Sequence, residues 1–331
     1  MSAPEIRIQR IPRFELESGE VLEDVAQAYV LAGELSEERD NLVVVFHSLT
    51  GRAETVGGWW GGIVGPGRTI DTDRHAVLCA NLLGSCYGTT GPRERSPFPD
   101  VTPGDQARLV QLLVGELGIE SVALACGGSL GGMVAMEWAA RNPHLPRSVV
   151  IFAAPAAHTA HAIAWNHVQR AAIGAAGERG LEIARMVGMM SYRTAGEQAA
   201  RFGRRRDGDG GWAVAGYLEH HGRKLRGRFD VESYVTLTKA MDAHDVGRGR
   251  GGAGAALGRI EGRLIGVGIP GDLLYAADDV REWVDAAGAE YREIHSPHGH
   301  DAFLLESTQV AEILGDALAG AASPALAGGA R

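Results

Sequence analysis

Apolar residues along the chain gather in short unbroken runs: "NLVVVFH" (41–47), "HAVLCANLL" (75–83), "SVALACGG" (121–128), "SVVIFAA" (148–154) and "RLIGVGI" (263–269). A more polar sixth run, "EYREIHS" (290–296), follows near the end. Continuous rather than alternating hydrophobicity predicts strands covered on both faces, as in a parallel sheet. Between the runs lie helical patterns: "GDQARLVQLLVGELG" from Gly104, "GGMVAMEWAARN" from Gly131 and "DDVREWVDAAG" from Asp278. The alternation predicts an α/β fold, a mostly parallel central sheet with helices on both faces. The first forty residues read instead as an antiparallel hairpin added to the sheet edge.

The alternation stops after Ala154. Residues 156–245 are rich in Ala, Arg, Met and Gln, with helical periodicity and no strand pattern, and predict a helical cap inserted over the sheet. The Gly-rich stretch "GRGRGGAGAALGR" (247–259) then predicts a loop leading back to the sheet. The expected organisation is a core in two parts, 1–155 and 246–322, a cap or lid at 156–245, and a flexible Ala/Gly tail at 323–331.

Composition narrows the function. A chain of 331 residues buries a core without disulfides or metals. Three cysteines (Cys79, Cys86, Cys126) and no secretory pattern at the start imply a cytoplasmic protein with reduced thiols. No apolar run reaches the 18 or so residues of a membrane-spanning helix. A formal net charge of -9 argues against nucleic acid or an anionic membrane as partner. One basic run, "RFGRRR" (201–206), goes against that balance; it reads first as a solvated helix end and second as a docking site for an anionic ligand.

The segment "GGSLG" (127–131) fits G-x-S-x-G between a buried strand and a helix, the setting of a nucleophilic Ser129 on a sharp turn. A serine hydroxyl needs a histidine to take its proton and a carboxylate to hold that histidine. In this fold they follow in the order Ser, acid, His. Asp272 lies in the loop after the fifth run, and His300 in the Gly-flanked loop "HSPHGHDAF" before the final helix. Asp278 and Asp279 compete for the acid role but sit where a helix starts, and His298 competes with His300. An oxyanion hole would use the backbone N–H of Leu130 and of Leu49 in "HSLTG". His47 is expected to shape that loop, Cys126 to be a small buried hydrophobe, and Trp59 and Trp60 to wall the domain or the pocket rim. The histidines show no spacing that would bind a metal.

These segments, with "WWGGIVGPGRTIDTDRHAVLCANLLGSCYGTTGP" (59–92), "AIAWNHVQRAAI" (162–173), "FDVESYVTLTKAMDAHDVGRGRGG" (229–252) and "GHDAFLLE" (299–306), make the sequence similar to the homoserine O-acetyltransferases and their serine- and succinyl-transferring relatives in the α/β-hydrolase superfamily. The resemblance implies a two-step transfer in which acetyl-CoA, the acyl-donor substrate, acylates Ser129 and L-homoserine then takes the acetyl group, with His300 acting as base and acid in turn and Asp272 orienting it. Serine acceptors, succinyl donors and plain ester or thioester hydrolysis are the alternatives. It further implies that Arg170 binds the acceptor's carboxylate and Asp301 its ammonium group; the plainer readings are a cap-helix salt bridge and a helix N-cap. A homodimer through the cap is implied as well, with no permanently bound cofactor. The sequence departs from the family pattern at Leu130, where relatives carry Met, and at "RAETVGG" (52–58), beside the acceptor pocket. It is also shortened between "TTGP" and "FPDVT".

Overall fold

The computed structural model describes residues 5–321, so the tail expected at 323–331 lies outside the described residues. The amino-terminal segment is the expected edge hairpin, β1 (Ile6–Glu15) against β2 (Val21–Ala32). The apolar runs become β3 (Leu42–Phe46), β4 (Ala76–Ala80), β5 (Val122–Gly128), β6 (Ser148–Phe152), β7 (Arg263–Gly268) and β8 (Glu290–Glu293). The order across the sheet is β1-β2-β4-β3-β5-β6-β7-β8. β2 pairs antiparallel with β4, and the strands from β4 to β8 are all parallel.

The unbroken runs are explained by where alternate residues go. On β3, Leu42, Val44 and Phe46 pack with Leu113 of α1 (Pro103–Glu116) and Trp138 of α2 (Leu130–Arg141). Val43 and Val45 pack on the opposite face with Val310 and Leu314 of α10 (Ser307–Ala321). Both faces are dry, and each buried aliphatic side chain contributes about 1.5–3 kcal/mol. Helix starts follow local chemistry. Thr102 accepts from the Asp105 N–H and Asp105 accepts in return from the Thr102 N–H, both at 3.0 Å, with Pro103 opening the helix. Asp279 likewise accepts from the Ala276 N–H at the start of α8 (Ala277–Ala287).

Between β6 and β7 the chain forms α3 (Ala160–Tyr192), α4 (Ala195–Phe202), α5 (Ala213–Arg226) and α6 (Val231–Asp242), with no strand. A single bridge between Ala157 and Asp245 closes the base of this helical unit. α3 is interrupted at Gly177, whose φ of 52° and ψ of -125° leave the helical region. α3 packs on both α5 and α6. The Gly-rich return differs from the expected loop, because Ala253–Leu257 forms a short helix, α7, against α8. The local Ala content permits it, and the absence of a side chain at Gly254 lets it approach: a Cβ there would lie 2.6 Å from the Ala286 carbonyl oxygen.

Candidate active site

Ser129 stands between the end of β5 and the start of α2, with φ 57° and ψ -128°, a region that a non-glycine residue occupies only when its surroundings enforce it. The flanking glycines enforce it by close approach. A Cβ on Gly127 would fall 2.4 Å from the Gly131 carbonyl oxygen, and one on Gly131 would fall 2.1 Å from that of Phe46. The turn is fastened by the Ser129 N–H donating to Phe152 O and the Met133 N–H donating to Ser129 O, both at 3.0 Å. Ser129 is nearly buried but opens on a cavity of about 200 Å³.

Leu130 opens α2, and Leu49 lies in the loop after β3 and lines the same cavity. Neither N–H has a hydrogen-bond partner among the described residues, which leaves both free for a negative oxygen beside Ser129. His47 supports that loop. Burial pushes its imidazole down to about 4, so the ring is neutral, and Nδ1 lies 2.9 Å from Ser48 O and donates to it.

Of the competing acids and histidines, the structure brings together Asp272 and His300. Asp272 Oδ2 lies 2.7 Å from His300 Nδ1, while Asp272 Oδ1 accepts from the backbone N–H groups of Leu274 and Tyr275 at 2.8 and 3.0 Å. Asp278 and Asp279 belong to the first turn of α8, and His298 pairs with Glu197 at 3.1 Å. His300 is buried among the rings of Tyr192, Tyr275 and Phe303. Its Nε2 is buried and has no partner among the described residues, and the residue shares the cavity wall with Ser129. Burial works to lower the pKa of His300, but the charge and hydrogen bond of Asp272, with Asp301 behind them, outweigh it and raise the pKa above its ordinary value.

Asp301 also lines the cavity. It occupies the N-cap position of the short helix α9 (Ala302–Leu305) but makes no capping bond; its carboxylate lies 3.0 Å from Arg193. Arg170 is not among the residues of the cavity wall. Its Nη2 donates to Asp242, which also accepts from Asn166 at 2.8 Å and lies 3.2 Å from His158. Arg170 sits before the break at Gly177 and pairs through its Nη2 with Asp242 of α6, while its Nη1 is buried without a partner among the described residues. The cations that do reach the cavity are Arg185 and Arg228. Arg228 is engaged with Thr50 and Tyr87. Arg185 makes no ion pair among the described residues and lies over the Tyr192 ring at 5.5 Å. The sequence held one signal for this pair: Arg185 and Tyr192 are seven residues apart in a helical segment and share a face. Trp59 lines the cavity, and Trp60 is buried, its indole N–H donating to Phe303 O. Cys126 is fully buried.

The chain is similar to known proteins over nearly its whole length. Residues 41–174 match the alpha/beta hydrolase fold family. A homoserine O-acetyltransferase of Thermus thermophilus is 44% identical, the match covering 91% of this chain and 88% of that one. The crystal structure of the homoserine O-acetyltransferase from Staphylococcus aureus is 31% identical and superposes with a TM-score of 0.83, over 94% of each chain. Esterase E22 superposes with a TM-score of 0.86 over 95% of this chain and 99% of that one, but at 19% identity the likeness is one of fold alone. With its nucleophile-elbow turn and identity spread along the whole chain, this protein belongs to the homoserine O-acetyltransferase family of α/β-hydrolase-fold enzymes.

Proposed function

We propose that this chain moves an acetyl group from acetyl-CoA to the side-chain hydroxyl of L-homoserine through an acyl-serine intermediate. The observation that carries the reading is a cavity that holds a cation without an ion-pair partner among the described residues, Arg185, and an anion, Asp301, which also faces Arg193, beside Ser129 and His300. An ester substrate calls for neither charge, whereas an amino acid presents a carboxylate to the first and an ammonium group to the second. Family membership selects the acceptor from among amino acids with a hydroxyl.

In the first half, His300 Nε2 takes the Ser129 proton as Oγ attacks the thioester carbonyl. The oxyanion is met by the N–H groups of Leu49 and Leu130, and collapse expels the CoA thiolate, which receives the proton from His300. In the second half, His300 takes the homoserine hydroxyl proton, the alkoxide oxygen attacks the acyl carbonyl, and Ser129 leaves with that proton. Asp272 holds the imidazole in the tautomer that keeps Nε2 free to accept. The helical unit at 156–245 acts as a cap that limits water at the acyl-enzyme. Ile163, Val168 and Ile183, large apolar residues exposed on α3, support a homodimer formed through it. Among the described residues no helix is long and apolar enough to cross a membrane.

Arg185→Ala tests the acceptor site. The KM for L-homoserine is expected to rise about 10- to 100-fold, the scale of one charge-assisted hydrogen bond, while the pre-steady-state burst of CoA changes by less than about threefold. An equal loss in both steps would remove Arg185 from acceptor binding.

A further inference from the structure

The basic run at 201–206 has no part in the chemistry above, and its surroundings give it one. Arg204 and Arg206 lie over the ring of Trp212, at 5.1 and 3.6 Å, and Arg201 lies over Tyr217 at 4.6 Å. None of these guanidinium groups has a carboxylate within salt-bridge distance among the described residues. The nearby Asp207 spends Oδ1 on the backbone N–H groups of Asp209 and Gly211. Aromatic rings therefore hold the cations in place without neutralising them, in a protein whose net charge is -9.

The cluster is also tied to the cavity. Trp212 is the N-cap of α5, and Arg228, two residues beyond the end of α5, lines the cavity. α5 has 14 residues and so runs about 21 Å between these points, a span of the order of an extended pantetheine arm. Along it, Tyr217 packs edge-to-face with His221, their ring centroids 4.5 Å apart. Burial first, and then the charges of Arg185, His220, Lys224 and Arg193, push His221 down to about 4. Cationic side chains thus continue from the arginine cluster along α5 to the cavity, with Lys224 on α5 and Arg185 and Arg228 at the cavity wall, although Arg223 and Arg226 are paired with Glu219 and Glu182; the amino-terminal dipole of α5 adds to them at the outer end.

We infer that Arg201, Arg204 and Arg206, framed by Trp212 and Tyr217, form the site that binds the phosphorylated nucleotide end of the acyl-CoA donor, with the pantetheine arm laid along α5 toward Ser129. The inference rests on the transfer reading above and adds where the donor is recognised. A guanidinium fork suits the ribose phosphate and the pyrophosphate; their attraction weakens with salt.

The test compares acetyl-CoA with S-acetylpantetheine, which carries the same thioester without the nucleotide, in wild type and in Arg204→Gln/Arg206→Gln. Both residues are exposed, so the substitutions leave the core untouched. The wild-type ratio of kcat/KM for acetyl-CoA over S-acetylpantetheine is expected to fall about tenfold in the variant and further in Arg204→Glu/Arg206→Glu. Calorimetric titration with free CoA should show binding weaker by the same factor. A ratio that keeps its wild-type value in both variants overturns the site and leaves the transfer reading standing. If wild type turns over neither donor, the transfer reading fails and the CoA titration alone decides: tenfold weaker binding in the variant upholds the site, equal binding overturns it.

Discussion

Ser129→Ala is expected to lower the rate of acetyl-CoA cleavage on the order of 10⁶-fold, the loss that follows when a nucleophile and its base stop acting as a unit. The protein should remain folded, with stability changed by no more than about 1 kcal/mol. The fold-related reason is that the turn is held by backbone bonds from Ser129 N to Phe152 O and from Met133 N to Ser129 O, which alanine keeps. Alanine also retains the Cβ that the elbow already accommodates at φ 57°. Turnover of the variant by continuous thiol release, with circular dichroism as the check on folding, measures both. Residual cleavage within a hundredfold of wild type would remove Ser129 from the reaction.

Asp272→Asn is the second large effect. An asparagine at this site still accepts the Leu274 and Tyr275 N–H groups through its oxygen, so the loop is kept. What it loses is the charge 2.7 Å from His300 Nδ1 and, with it, control of the tautomer, an expected loss of about 10⁴-fold in kcat. The pH dependence carries a sign as well. His300 accepts a proton only when neutral, so activity rises with pH through its pKa; in the wild type that acid limb is expected above the ordinary histidine value of 6.5. With Asp272 neutralised, burial is opposed only by Asp301, and the limb of the residual activity should move to lower pH. A limb unchanged in position would assign it to another group.

The sequence made the chemistry legible where local pattern and site coincide. Ser129, Asp272 and His300 each follow a strand that reads as an apolar or β-rich run, and in a parallel sheet those ends meet along one edge. The helix-start position of Asp278 and Asp279 already favoured Asp272, and the family resemblance favoured His300 where spacing left His298 open; the loop conformations bring Asp272 and His300 into contact. Asp301 was within reach because it adjoins His300, whereas Arg185 on the cavity wall was not singled out. The seven-residue spacing puts Arg185 on the face of Tyr192, but which way that face turns is set by the packing of α3 on α5 and α6. The helix α7 was hidden in a Gly-rich stretch because a contact with α8, rather than propensity, stabilises it. The arginine cluster was visible as charge, but its link to the cavity depends on the length and direction of α5.

The central claim is an acyl-enzyme that waits for its acceptor, and intact-mass spectrometry reads it directly. Protein mixed with excess acetyl-CoA alone should gain one acetyl group, mapped to Ser129, and hold it. Adding L-homoserine should discharge that adduct at least about a hundredfold faster than buffer or L-serine does. An adduct that water discharges as fast as homoserine would make the protein a hydrolase, and O-acetylhomoserine formed without any adduct would contradict the acyl-serine route.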